Sequence, residues 1–464
     1  MANINIVTVN ASVLQAPRPN NLQQVGGFVS QGGSIVTPGT ATLVSTLSEL
    51  QAVIAPAKTN ATITWSGGVV TVTTVAPHGW TIGDSIGIAV SGALPSAYNG
   101  NYTGTVTTTT RITYPLVANP GASTAPGKVN LFSATELLQM GTTYFANNAA
   151  PSVYVVELGE STPTAGVPLL SSFIDRVKGS NSQIYSYLIP SSWDNNVDFL
   201  AFLGAHNAVN SLVYFWVTTT VANQTVYSTP AYKCVYAEVQ APGTPATEFS
   251  LASAFSNSLS QVPTSSTKLV PMSYSPSYGT TAYPVVGNQT TLTGLANNSV
   301  GWVGTGQQGG ISSNIIYQGK MSDGNAWNFW FSVDWAQIQM QLALANEVIN
   351  GSASAVNPLY YNQTGINRLQ NRVVSVANQG VSSGVGNGTV TSTKLPNAQF
   401  FANLNAGLYA GQIVINAEPF SIYTAENPND YALGKYAGLT CVWIPQLPFL
   451  NIVFNLLATD FLQY

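Results

Sequence analysis

Charge is what this chain lacks. It has 13 Lys and Arg and 17 Asp and Glu among 464 residues, or 6%, where an ordinary soluble domain has roughly 25%. A soluble monomer usually covers itself with interspersed Lys and Glu. This sequence offers Asn, Gln, Ser and Thr instead, with 41 Gly and 26 Pro. Such a surface is cheap to desolvate and suits a protein packed against copies of itself. Disorder does not explain the composition, because disordered chains are poor in hydrophobic residues. Here 45% of residues are hydrophobic and 10% aromatic, so a core is expected.

The length implies roughly two to four domains at about 100–200 residues each. A net charge of −4 and the absence of any basic run argue against duplex DNA or RNA as a partner. No apolar stretch reaches the roughly 18 residues of a membrane span, so no membrane insertion is expected. The opening MANINIVTVNASVLQ has neither a basic n-region nor an apolar h-region and does not read as a secretory signal. It alternates instead, with Ile4, Ile6 and Val9 on one side, which predicts a strand. Cys234 and Cys441 lie far apart and read as buried thiols rather than a disulfide. The sequons at Asn60, Asn101 and Asn362 read as coincidences of an Asn- and Thr-rich chain.

Along the chain, residues 1–57 read as strands ending in a short helix around Ser48–Gln51. The texture changes near Lys58. Short β-branched runs separated by Gly-Gly, Pro-His-Gly and Asn-Gly turns predict a small all-β barrel or sandwich over 58–125, inserted into a larger domain. The stretch NPGASTAPG reads as its exit linker. A helix follows in SATELLQMGTTYFANN, with Ser133 and Glu136 as a capping box. The next segments alternate strand, helix, strand, helix, strand through SVYVVEL, PLLSSFIDRVKG, QIYSYLIP, DNNVDFLAFLGAHN and SLVYFWVTT. That order predicts a mostly parallel sheet covered by helices. Asp194 or Asn195 is the expected cap of the second helix. A helix over 247–258 and a strand over 268–275 are expected to continue the pattern.

A third part begins near Asn314. DWAQIQMQLALANEVING shows Trp335, Ile338, Leu342, Ala345 and Ile349 at helical spacing, with Asp334 as cap and Gly351 as stop. QTGINRLQNRVVSVANQG reads as a second helix, carrying Ile366, Leu369, Val373 and Ala377 on one side. From Ala410 onward the chain reads as strands. The last predicted strand, in FLNIVFNLLATDFLQY, alternates through Ile452, Phe454 and Leu456.

Candidate chemistry is sparse. His78 sits in a Pro-His-Gly turn, and His206 ends a helix where imidazole favours the dipole. Neither has a nucleophile and carboxylate at a catalytic spacing, and no Cys/His/carboxylate cluster suits zinc. Gly304, Gly306 and Gly309 match Gly-x-Gly-x-x-Gly, but a strand-like segment follows where a helix is needed, so the motif reads as a loop. Asp194, Asp198, Asp334 and Glu136 fall where helix starts want acids, and capping is a better account of them than paired-carboxylate hydrolysis. WNFWFSVDWAQ, with Trp327, Phe329, Trp330, Phe331 and Trp335, reads as a core strand leading into a core helix in preference to a carbohydrate platform. No cofactor is expected and no enzymatic activity.

The run NDYALGKYAGLTCVWIPQLPFLNIVFNLLATDF resembles the tail-sheath proteins of contractile-tailed bacteriophages, through Asp430-Tyr431-Ala432, Gly434-Lys435-Tyr436, Gly438-Leu439 and a last strand reaching Thr459-Asp460-Phe461. ATELLQMGTTYFANNAAPSVYVVEL and YLIPSSWDNNVDFLAFLGAHN are similar to that family's helix–strand and strand–Pro–helix steps. The segment APHGWTIGDSIGIAVSGALPSAYNGNYTGTV is similar to small β modules of phage tail and baseplate proteins.

The resemblance implies an α/β (α+β) fold. It would have a sheath-type core of mixed sheets covered by helices, a small inserted all-β domain and extended terminal strands. The implied division is an arm at 1–20, a middle domain at 21–57 and 126–310, the insert at 58–125 on the outer surface, a C-terminal core at 311–450 and an arm at 451–464. It further implies strand exchange between subunits through Ile4, Ile6, Val9, Ile452, Phe454, Leu456 and Phe461. The implied partners are further copies in a helical sheath, the tail tube protein, and baseplate and tail terminator proteins. The implied place is the virion tail, assembled in the host cytoplasm. The alternative is a virion receptor-binding protein or adhesin that binds surface glycans.

Overall fold

A computed structural model of the chain describes residues 21–449, apart from 148, 160–161, 181 and 307–312. The first elements are β1 (Gly26–Ser30), β2 (Thr40–Val44) and α1 (Leu47–Val53). The Thr46 hydroxyl caps α1 by accepting from the Glu49 N–H. The chain then enters a closed barrel of β3 (Lys58–Ser66), β4 (Val69–Thr74), β5 (Ser85–Leu94), β6 (Gly100–Val106), β7 (Arg111–Pro115) and β8 (Ala125–Leu131), in the order β3-β4-β7-β6-β5-β8.

Alternation builds the barrel. Ile63, Val70, Val72, Ile86, Ile88, Val90, Ile112 and Tyr114 turn inward to one small core. Gly67 and Gly68, at φ 57° and 85°, make the two-residue turn between β3 and β4, a backbone that side chains rarely tolerate. The barrel includes Ala125–Leu131, part of which falls in the stretch read from sequence as a linker. Its Pro and Gly signal turn chemistry, but Gly127 sits inside the strand at φ +67°, where an added Cβ would lie 2.3 Å from the Ser91 carbonyl oxygen. At the base of the barrel, Asn130 Nδ2 donates to the Ala55 carbonyl oxygen at 2.9 Å, so the entering and leaving chains lie together.

Beyond the barrel come α2 (Phe132–Tyr144), β9 (Val153–Glu157), α3 (Pro163–Val177), β10 (Ser186–Leu188), α4 (Val197–His206), β11 (Tyr214–Thr219), β12 (Val235–Val239), α5 (Leu251–Leu259), α6 (Gln289–Asn297), β13 (Gly301–Thr305) and β14 (Asn314–Tyr317). With β1 and β2 they form an eight-stranded sheet, ordered β14-β13-β12-β11-β10-β1-β9-β2. The strands from β13 to β9 pair in parallel, and β14 and β2 close the edges antiparallel. The central strands are buried on both faces, which is why they read as continuous apolar runs. Tyr214 and Trp216 face one core with α2 and α5. Phe215 and Val217 face the other with α3, α4 and α6.

The remainder is α7 (Trp327–Ala353), α8 (Gln363–Ser382), β15 (Thr389–Thr393), α9 (Asn397–Asn405), β16 (Gln412–Ala417), α10 (Phe420–Glu426), α11 (Pro428–Ala432) and β17 (Leu439–Val442). The last three strands form a second sheet, β15-β16-β17, parallel on one side and antiparallel on the other. The molecule is thus a mixed α/β fold carrying a closed all-β barrel.

Several local expectations are corrected. Trp327–Phe331 is not a strand but the first turns of α7, so Asp334 lies inside the helix rather than at its cap, and Gly351 lies inside its end. Residues 268–275 form no strand. Ser133 and Glu136 make no capping box: the Ser133 hydroxyl donates to the Gln31 carbonyl oxygen, and Glu136 accepts from the N–H and hydroxyl of Ser191. The cap of α4 is Asn196, which accepts from the Asp198 and Phe199 N–H groups. Asp194 instead accepts from Tyr227 and Asn223.

Candidate assembly surfaces

The long helix α7 joins the two sheets. Asp334 is wholly buried, and its Oδ2 accepts from Tyr185 at 2.8 Å and Tyr214 at 2.7 Å. Burial pushes both phenols well above their ordinary pKa, and Asp334 adds to that shift. Lys233 is buried beside this group, its ammonium 4.7 Å from the Trp330 ring centre and bonded to the carbonyls of Val209 and Ser211. Burial lowers its pKa, against a weaker raising pull from Asp334. One polar cluster therefore fixes α7 to the parallel sheet.

On its other side α7 packs on α8. Glu347 of α7 accepts from Arg368 Nη2 at 2.5 Å and Arg372 Nε at 2.6 Å. Burial opposes ionisation of Glu347, but the bonds and charges of the two arginines win, and its pKa is lowered. Gln370 of α8 donates from Nε2 to the carbonyl oxygens of Thr393 and Ile415, bridging β15 and β16. Trp443, just after β17, donates from Nε1 to Ser332 Oγ at 2.8 Å. It packs against Gly380 so closely that an added Cβ there would lie 2.4 Å from the ring.

The second sheet, like the eight-stranded one, ends in strands that have a single partner among the described residues. Among the described residues, β15 and β17 each pair only with β16, so both outer edges are unpaired. Unpaired edges are templates for another strand. Beyond β17 the chain passes Leu447 and Phe449, which are 57% and 80% exposed.

The seven expected strand-exchange residues, Ile4, Ile6, Val9, Ile452, Phe454, Leu456 and Phe461, lie outside the described residues. His78 is buried, with Nε2 against the Thr108 carbonyl oxygen and Nδ1 accepting from the Trp80 N–H. Burial lowers its pKa, a weaker bond to Thr108 opposing. His206 meets the Phe202 carbonyl oxygen through Nδ1 at 3.0 Å. Both cysteines are free thiols, each pushed by burial up to about 12. Of the glycine motif, Gly304 belongs to β13, Gly306 follows it, and Gly309 is not among the described residues. Trp327, Trp330, Phe331 and Trp335 are core residues of α7. Among the described residues, no group of three or more His, Cys, Asp and Glu could hold a metal ion, and no helix is long and apolar enough to cross a membrane.

The sequence reading missed the Asp334 and Glu347 clusters. Arg368 and Arg372, four apart on one helix, were a visible signal for the second. Nothing local marks the first, whose members come from three separate segments.

No family model matches this chain, and no curated protein matches it in sequence. Solved structures do overlay on it. A sheath tail protein from Desulfitobacterium hafniense is 11% identical, covers 82% of this chain and 90% of its own, and gives a TM-score of 0.36. A sheath tail protein from Listeria innocua is 10% identical over 91% of this chain and 95% of its own, at 0.39. The helical sheath of the anti-feeding prophage in its contracted state is 11% identical over 99% of this chain and 100% of its own, at 0.44. At these values the overlays assign no role to this chain.

Proposed function

We propose that this chain is the subunit of a contractile phage tail sheath. The observation that carries the reading is the second sheet, whose two outer edges are unpaired among the described residues. In the proposal, the terminal segments around Ile4–Val9 and Asn451–Phe461 of neighbouring subunits add strands to those edges. Main-chain hydrogen bonds then supply much of the link. Contacts of this head-to-tail kind, repeated without closing, give a helical tube. The tube surrounds an inner tail tube in the virion, ends at baseplate and terminator proteins, and is assembled in the host cytoplasm. Contraction is a repacking of rigid subunits into a wider, shorter lattice and drives the tube through the host envelope. The domain division given above is part of the same proposal. Scarce charge supports it, because few unpaired charges are stranded when contacts re-form.

Deleting residues 1–12 tests the reading. Electron microscopy of the intact chain, with its tube protein present, should show hollow tubes or stacked rings. The truncated chain should stay folded and monomeric. Unchanged assembly after the deletion would remove strand exchange from the proposal. A monomeric or trimeric intact chain would favour the adhesin reading.

A further inference from the structure

The barrel closes on a short seam. β3 pairs with β8 only at Lys58↔Val129 and Thr59↔Lys128, then parts from it. Between β3 and the segment 119–126 lies a groove of about 540 Å³, within the roughly 300–1,000 Å³ of small-molecule sites. The Gly67–Gly68 turn makes Ser66↔Val69 a hydrogen-bonded pair, and Thr64 follows it by alternation. Ile63 and Trp65 therefore turn their N–H and C=O groups away from β4, toward the groove.

The lining has a defined chemistry. It contains no charged side chain. Thr62, Thr64, Asn119 and Ser123 supply hydroxyl and amide groups, and the half-buried Trp65 supplies apolar ring surface, while Tyr98 borders the groove from the barrel core at 1% exposure. Both rings are held: Trp65 Nε1 donates to the Leu116 carbonyl oxygen at 2.7 Å, and the Tyr98 hydroxyl to that of Gly121 at 2.7 Å. The far wall is also built. Gly121 N–H donates to Asn119 Oδ1, Thr124 N–H to the Leu94 carbonyl oxygen, and Ser123 Oγ to that of Ala125. The N–H groups of Gly121 and Thr124 are therefore already bonded, and the side chains of Asn119, Ser123 and Thr124 line this wall.

We propose that this groove binds a neutral oligosaccharide. Sugars alternate hydroxyls, which need donors and acceptors, with apolar ring faces, which pack on aromatic rings. A neutral lining matches an uncharged glycan, and fixed walls lower the ordering cost of binding. The inference stands apart from the sheath proposal.

The test uses the full chain on an array of neutral and charged glycans of about three to six units, followed by calorimetry on the best neutral binder. Ala122 and Thr64 are exposed groove residues, and Val117 is an exposed barrel residue outside the lining. Ala122→Arg and Thr64→Lys should each weaken binding by at least about tenfold, and Val117→Arg should leave it unchanged. Thermal midpoints of all three variants establish that the barrel is intact. The proposal is overturned if no neutral glycan binds, if only charged glycans bind, or if binding survives both groove variants. It is equally overturned if the groove binds a synthetic peptide of residues 1–12 and no neutral glycan competes with that peptide.

Discussion

Tyr214 donates its hydroxyl hydrogen to Asp334 Oδ2 at 2.7 Å, which ties a central strand of the parallel sheet to the interior of α7. Tyr185 reaches the same oxygen. Removing the tyrosine hydroxyl leaves Asp334 one donor short in a buried place. Tyr214→Phe should cost roughly 1–3 kcal/mol. Asp334→Ala strands two hydroxyls and should cost more. Urea midpoints at constant m-value check both, and equal stability of Tyr214→Phe and the parent chain would show that the bond contributes nothing.

Glu238 gives the stability a pH dependence. It is buried in β12, and burial, with Glu248 adding to it, raises its pKa from 4.5 to about 8. The folded chain therefore holds a proton there that the unfolded chain has released. Stability falls as pH rises between about 4.5 and 8, by at most about 1.4 kcal/mol per pH unit, and is level above that window. Glu136, raised by burial despite opposing bonds from Ser191, acts in the same direction. Denaturant midpoints from pH 5 to 8 should fall in the parent chain and fall less in Glu238→Gln. A variant that keeps the full slope would remove Glu238 as the cause.

Gly380 lets Trp443 lie on α8. A methyl group there would push the indole away and break its bond to Ser332. Gly380→Ala should destabilise by about 1–3 kcal/mol, even though alanine favours helices. Because Trp443 follows β17, the same variant should expose that segment to amide hydrogen exchange before the parallel sheet. Uniform exchange across both sheets would contradict this.

The two arginines on Glu347 are unequal. The Arg368 side chain is 23% exposed and also bonds the Asn357 and Pro358 carbonyl oxygens, whereas Arg372 is 59% exposed. Arg372→Ala should cost at most about 1 kcal/mol. Glu347→Ala leaves Arg368 without its carboxylate and should cost roughly 2–4 kcal/mol, the α7–α8 pair loosening first. Thermal unfolding of the two variants side by side decides it, and equal losses would refute the ranking.

Periodicity alone determined much of this protein. The short β-branched runs after Lys58 predicted a small barrel or sandwich, and the alternation of strand and helix from SVYVVEL to SLVYFWVTT predicted a mostly parallel sheet, because both patterns are set by local sequence. Tertiary structure decided what local signals could not. Asp334 looks like a cap but is an interior hub, since its partners Tyr185, just before β10, and Tyr214, in β11, lie more than a hundred residues away. Ala125–Leu131 carries Pro and Gly yet closes the barrel, because its pairing with β5 outweighs its own turn propensity. The same holds for the groove. Its two walls are 61–65 and 119–126, and only closure of the barrel sets polar side chains from both around one neutral space.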